Sequence, residues 1–115
     1  MKVVFFSESG IVGKVDRTFP NARNDIAWSI MMDADWCPYG KTPTEKYDLG
    51  VVTIPKTKPN LDVDWFKQHC DKIAIMQEGP HWYFQDYSVE QQFQFVENLR
   101  KADWVWCHNK SDVSY

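Results

Sequence analysis

Lys2-Val3-Val4-Phe5-Phe6-Ser7-Glu8-Ser9-Gly10, at the start of the chain, decides the fold class. Val3 to Phe6 is an unbroken apolar run without alternation, the pattern of a strand covered on both faces of a parallel sheet. The run stops at Ser7 and opens into a polar loop with two glycines, Gly10 and Gly13, followed by Lys14. Downstream, Ile26, Ala27, Ile30, Met31 and Ala34 follow helical spacing, which completes a strand-loop-helix unit.

The same alternation continues along the chain. Residues 35 to 48 hold Pro38, Gly40, Pro43 and several charges, and read as loop with at most a short strand near Trp36-Cys37. Leu49 to Ile54 is a β-branched, apolar strand that ends at Pro55, and a short helix starts near Asp62, with Trp65, Phe66 and His69 on its faces. Lys72 to Met76 is a third strand. Ser88 and Gln91 form a capping box for a helix in which Val89, Phe93, Val96 and Leu99 recur at intervals of three and four up to Lys101. Trp104-Val105-Trp106-Cys107 is the last strand and ends in His108-Asn109. Strands that alternate with helices require a mostly parallel sheet, here of about four to five strands in an α/β domain. Every strand then ends on one side, so ligands are expected at the loops after Phe6, Ile54, Met76 and Cys107.

A chain of 115 residues fits one domain, 1–115. Its net charge of −3 argues against gripping nucleic acid through an overall field, although a local basic patch stays open. Cys37, Cys70 and Cys107 have no CxxC spacing, which suggests neither a disulfide framework nor a zinc knuckle, and a reducing cytoplasm is the expected setting. The initial apolar run is too short for a signal peptide or a membrane span, and no membrane association is expected. A metal site built from His69, His81, His108 and the cysteines has no supporting spacing.

Several residues at the expected functional edge have two readings each. Gly10 and Gly13 match no phosphate-loop pattern, and a glycine pair in a strand-helix loop is more often simple turn chemistry than a phosphate cradle. Lys14, Arg17 and Arg23, near a helix N-terminus, either contact an anion or form a solvated charged loop. Glu78, directly after a strand and before Gly79, is the leading carboxylate for acid/base work, with an ordinary loop cap as the alternative. Asp86 either pairs with it or simply precedes the next helix cap. The loop His81-Trp82-Tyr83-Phe84 suits stacking on a sugar or base, docking of another domain, or local packing. His108 and Asn109 are placed to hydrogen-bond a hydroxyl or phosphate. Cys107 and His108, as strand neighbours, point to opposite faces and make no dyad, so Cys107 is expected to be a small core residue. A flavodoxin-like cofactor binder is disfavoured because the first loop lacks a hydroxyl-rich phosphate nest.

Four stretches carry a family resemblance: Lys2 to Gly10, Asn21-Ala22-Arg23-Asn24-Asp25-Ile26-Ala27-Trp28, Ile75-Met76-Gln77-Glu78-Gly79-Pro80, and Ala102-Asp103-Trp104-Val105-Trp106-Cys107-His108-Asn109. Together they resemble the N-terminal half of bacteriophage glycosyltransferases with two Rossmann-like domains, the GT-B type of architecture. The resemblance implies a three-layer Rossmann-like domain that binds the sugar acceptor, a modified DNA or a glycan. It also implies a C-terminal domain, not contained in these residues, that binds a nucleotide-sugar donor such as a uridine-diphosphate sugar, with no covalently bound cofactor. Transfer would take place in the cleft between the two domains, in the host cytoplasm for a phage-encoded enzyme. Glu78, Gly79, His108, Asn109 and the first loop, Ser9, Gly10, Gly13 and Lys14 included, would line that cleft. The abrupt end after the last strand fits a truncated domain that is inactive alone. The competing expectation is a non-catalytic α/β interaction domain that uses the His81–Phe84 loop.

Overall fold

In the computed structural model, residues 1–7, 10–16, 24–54, 62–77 and 88–107 are described. The elements follow the order β1 (Val3–Ser7), α1 (Asn24–Met31), β2 (Asp35–Pro38), β3 (Tyr47–Ile54), α2 (Val63–His69), β4 (Cys70–Gln77), α3 (Val89–Lys101) and β5 (Trp104–Cys107). The five strands form one sheet ordered β2-β1-β3-β4-β5, and every neighbouring pair is parallel. The domain is α/β, with helices on both faces of the sheet, a Rossmann-like three-layer arrangement.

The connections fix which helix lies on which face. From β1 the chain moves one way to β2, and from β2 it returns past β1 to β3 and continues to β4 and β5. Right-handed crossovers travelling in opposite directions lie on opposite faces of the sheet. Accordingly α1 packs with Val3, Phe5, Val51, Ala74 and Met76, whereas α2 and α3 pack with Val4, Phe6, Val52, Ile73 and Ile75. Neighbouring residues of one strand thus enter two different cores, which is why β1 has no polar alternation.

The short strand allowed near Trp36-Cys37 runs over Asp35–Pro38, held by β1 on one side and by Gly13 on the other, where Gly13 N donates to Trp36 O (3.1 Å) and Trp36 N to Gly13 O (2.7 Å). Helix α1 stops before Ala34: Ala34 N donates to Ser29 O (2.9 Å) and Asp33 N to Ile30 O (3.1 Å), a Schellman ending with Asp33 at φ 52°. Ala27 and Met31 consequently face solvent, and the buried positions are Ile26, Ser29 and Ala34. The Ser29 hydroxyl is satisfied by donating to Ile26 O (2.8 Å).

Close strand packing has one sequence requirement. A Cβ on Gly50 would lie 2.6 Å from the Cys70 sulfur, so β3 passes the start of β4 only because residue 50 is glycine. The same burial pushes the Cys70 thiol up to about 12, with Asp71 adding to the effect.

Helix α3 begins as its capping box predicts, with Ser88 and Gln91 bonded reciprocally. Asn98 is buried on its inner side, and Phe95, Leu99 and the C-cap Ala102 pack against the core, while Val89 and Phe93 are 70% and 69% exposed. The apolar series read from the sequence is therefore split, with Val89 and Phe93 outward, Val96 half-buried and Leu99 against the core. No described helix is long and apolar enough to cross a membrane.

Candidate functional site

The strand order places the reversal of direction between β1 and β3. In open parallel sheets the crevice at the carboxyl ends of two such strands is where ligands bind. The chain enters it at Ser7, the first polar residue after the apolar run of β1, and at Thr53 near the end of β3. Both are buried, at 6% and 7% exposure, close to the carboxyl ends of their strands. Phe6 is in register with Val52, which brings Ser7 beside Thr53.

Tyr39 spans these two strand ends. Its amide donates to Ser7 O (3.1 Å), its phenol donates to Thr53 O, and its ring meets the edge of Phe66 at 6.2 Å. The residue is delivered by a turn in which Lys41 N donates to Pro38 O (3.3 Å) and Gly40 takes φ 85°, the positive value a type II turn needs at its third position. Tyr39 was not among the residues expected from sequence. Its one signal was Pro38-Tyr39-Gly40, a turn pattern that reveals a bend but not where a long side chain will reach.

On the far side of β3 the chain leaves β4 at Gln77 and β5 at Cys107, and these two residues are paired neighbours. The stretches beginning with Glu78-Gly79 and His108-Asn109 therefore depart from adjacent points on the same carboxyl edge. Glu78, Gly79, His81, Asp86, His108 and Asn109 themselves lie outside the described residues, as do Ser9, Arg17 and Arg23.

The described part of the first loop runs away from the crevice. Gly10 and Gly13 both take positive φ, 78° and 76°, as turn residues do. From there the loop follows the outer edge of β2 towards its amino end. Lys14 Nζ donates to Asp33 O (2.7 Å) and Asp33 Oδ1 (3.1 Å) and lies 3.5 Å from Asp35 Oδ1. These contacts, the Asp33 hydrogen bond foremost, raise the Lys14 pKa and fix its charge at the opposite end of the sheet from Ser7 and Thr53. Gly10, Gly13 and Lys14 are thus not gathered with the strand-end residues.

A second concavity, of about 350 Å³, lies along the outer edge of β2, with Gly13, Asp35, Trp36, Lys41, Glu45 and Tyr47 in its lining. Two of its polar groups are paired, since Tyr47 Oη donates to Asp35 Oδ2 (2.8 Å) and the Cys37 thiol points to Lys41 O (3.5 Å), whereas the buried Trp36 Nε1 has no hydrogen-bond partner among the described residues. Burial first, and the Asp35 hydrogen bond next, raise the Tyr47 phenol, and burial raises the Cys37 thiol, so both remain protonated at neutral pH. Among the described residues no group of three or more His, Cys, Asp or Glu side chains is arranged to hold a metal ion.

Comparison of the chain with protein-family models, with curated proteins and with solved structures finds no match. The functional reading therefore rests on the carboxyl edge itself.

Proposed function

We propose that the chain is the N-terminal, acceptor-side half of a nucleotide-sugar-dependent glycosyltransferase, phage-encoded and active in the host cytoplasm. The observation that carries this reading is the switch point between β1 and β3, beside Ser7 and Thr53 at the strand ends, on the same edge from which the Glu78 and His108 stretches depart. Such an edge suits a polyhydroxylated ligand, because the loops that leave parallel strand ends bring both donors and acceptors to one side of the sheet. In this reading the Glu78 carboxylate takes the proton from the acceptor hydroxyl as that oxygen attacks the sugar C1, and the nucleoside diphosphate leaves with the bonding electrons. His108 and Asn109 orient hydroxyl or phosphate oxygens. Arg17 and Arg23 meet the anionic groups, a task for which Lys14, held by Asp33 and Asp35, is poorly placed. A C-terminal domain supplies most of the donor site, including that for a uridine-diphosphate sugar.

The test is release of nucleoside diphosphate, with and without acceptor, by the complete gene product across a panel of nucleotide sugars. Glu78→Gln should lower turnover by about 10²-fold or more, the usual contribution of a general base. Full turnover in that variant, or no turnover with any donor, sinks the reading. The alternative, a non-catalytic interaction domain that uses the His81–Phe84 loop, draws support from apolar side chains exposed on β5, where Trp104 is 50% and Val105 40% exposed.

A further inference from the structure

The concavity of about 350 Å³ beside β2 is lined by charged groups of two kinds, engaged and free. Its carboxylates are engaged. Asp35 accepts from Tyr47 Oη (2.8 Å) and lies 3.5 Å from Lys14 Nζ, and Glu45 meets the Lys2 ammonium (2.5 Å). The wall that descends from the turn after β2, Lys41-Thr42-Pro43-Thr44, is different. Lys2, Lys14, Lys46, Lys72 and Lys101 each meet a carboxylate, whereas Lys41 has no ion-pair partner among the described residues. The Thr42 and Thr44 hydroxyls likewise make no hydrogen bond to a described residue. All three residues are exposed, so a solute can reach them.

These donors are held in place by the turn that delivers them. Lys41 N donates to Pro38 O (3.3 Å), Lys41 O accepts from the Cys37 thiol (3.5 Å), and Pro43 restricts the backbone between the two threonines. Burial raises the Cys37 thiol and the Lys41 ammonium opposes that rise, which puts the ammonium near the thiol that lines the concavity. Donors positioned in advance lose less freedom when a ligand arrives.

We propose that this wall binds the phosphate of a small phosphomonoester, with Lys41 Nζ and the Thr42 and Thr44 hydroxyls as donors and the organic part against Val12 and Pro43. An ammonium and two hydroxyls suit a phosphate, which brings three acceptor oxygens and a charge of about −2, better than they suit a carboxylate. Lys2 and Lys14 offset Glu45 and Asp35, so the carboxylates of the lining do not turn an anion away. The inference does not depend on the glycosyltransferase reading.

Amide chemical-shift titration of the 115-residue chain at constant ionic strength tests it, with phenyl phosphate, inorganic phosphate, benzoate and phenol as probes. Phenyl phosphate should give saturable changes at Val12, Gly13, Thr42 and Thr44, and inorganic phosphate weaker ones at Thr42 and Thr44. Lys41→Met should weaken phenyl phosphate binding about tenfold, the loss of one charge-assisted hydrogen bond, and Thr44→Val about threefold. Lys46→Met removes a nearby lysine that pairs with Asp71 outside the concavity, and should leave the affinity unchanged. Since these side chains are exposed, each variant should unfold at the midpoint of the unaltered chain. No saturable change with either phosphate, phenol or benzoate binding as tightly as phenyl phosphate, or equal weakening by Lys41→Met and Lys46→Met overturns the proposal.

Discussion

The amino and carboxyl ends of the sheet are built from different chemistry. At the amino end the strands are laced by charge. Lys2 binds Asp48 through its amide (2.7 Å) and Glu45 through its ammonium (2.5 Å), Lys46 meets Asp71 (3.1 Å), and Lys14 meets Asp33 and Asp35. Asp103 accepts from Ile73 N (2.8 Å) while its own amide donates to Ile73 O (2.8 Å), pinning β5 to β4. At the carboxyl end the described contacts are hydroxyls and carbonyl ends, Ser7, Thr53 and the bridging Tyr39. Groups at the first end already hold one another, so that end serves the fold. At the second end Tyr39 ties the β1 and β3 ends together through Ser7 O and Thr53 O, and it is on that edge that the proposed function places a ligand.

Substitutions can break this division in order of size. Gly50→Val, in the strand interior, should destabilise by about 3 kcal/mol or prevent folding, since its side chain must displace Cys70 and Ile73. Denaturant unfolding measures this, and a loss below about 1 kcal/mol would show that β3 and β4 are not packed so closely. Asp103→Ala should cost about 2 kcal/mol by leaving the Ile73 amide without its charged acceptor, with no change in ligand affinity. Tyr39→Phe should cost about 1 kcal/mol in stability and, unlike Asp103→Ala, should change ligand affinity as well, read by calorimetric titration. Lys14→Met should leave the unfolding midpoint unchanged within error, because its ion pairs are exposed, and should leave ligand binding unaltered.

The sheet was legible in the sequence where burial on two faces leaves a continuous apolar run, as in Val3 to Phe6, and where caps mark helix starts, as at Ser88. Strand β2 was less legible. It is four residues long, and its aspartate and proline carry the composition of a loop, while its pairing depends on Gly13 and β1, both distant in sequence. The end of α1 was hidden because Asp33 rather than glycine takes the left-handed position. The outward set on α3 has the same spacing as an inward one, and periodicity alone does not say which flank a protein buries. At the crevice, the order of strands and the polar residue ending β1 could be anticipated. The reach of Tyr39 and the capture of Lys14 by Asp33 and Asp35 could not, since both depend on how loops return to the sheet.

Amide chemical-shift mapping with uridine-diphosphate sugars and with free sugars tests the functional assignment of the two ends most directly. The account predicts saturable changes at Ser7, Tyr39, Thr53, Gln77 and Cys107, with Lys2, Asp48, Lys72 and Asp103 unmoved. Changes concentrated at the amino end, or none at the strand ends with any member of the panel, would contradict it.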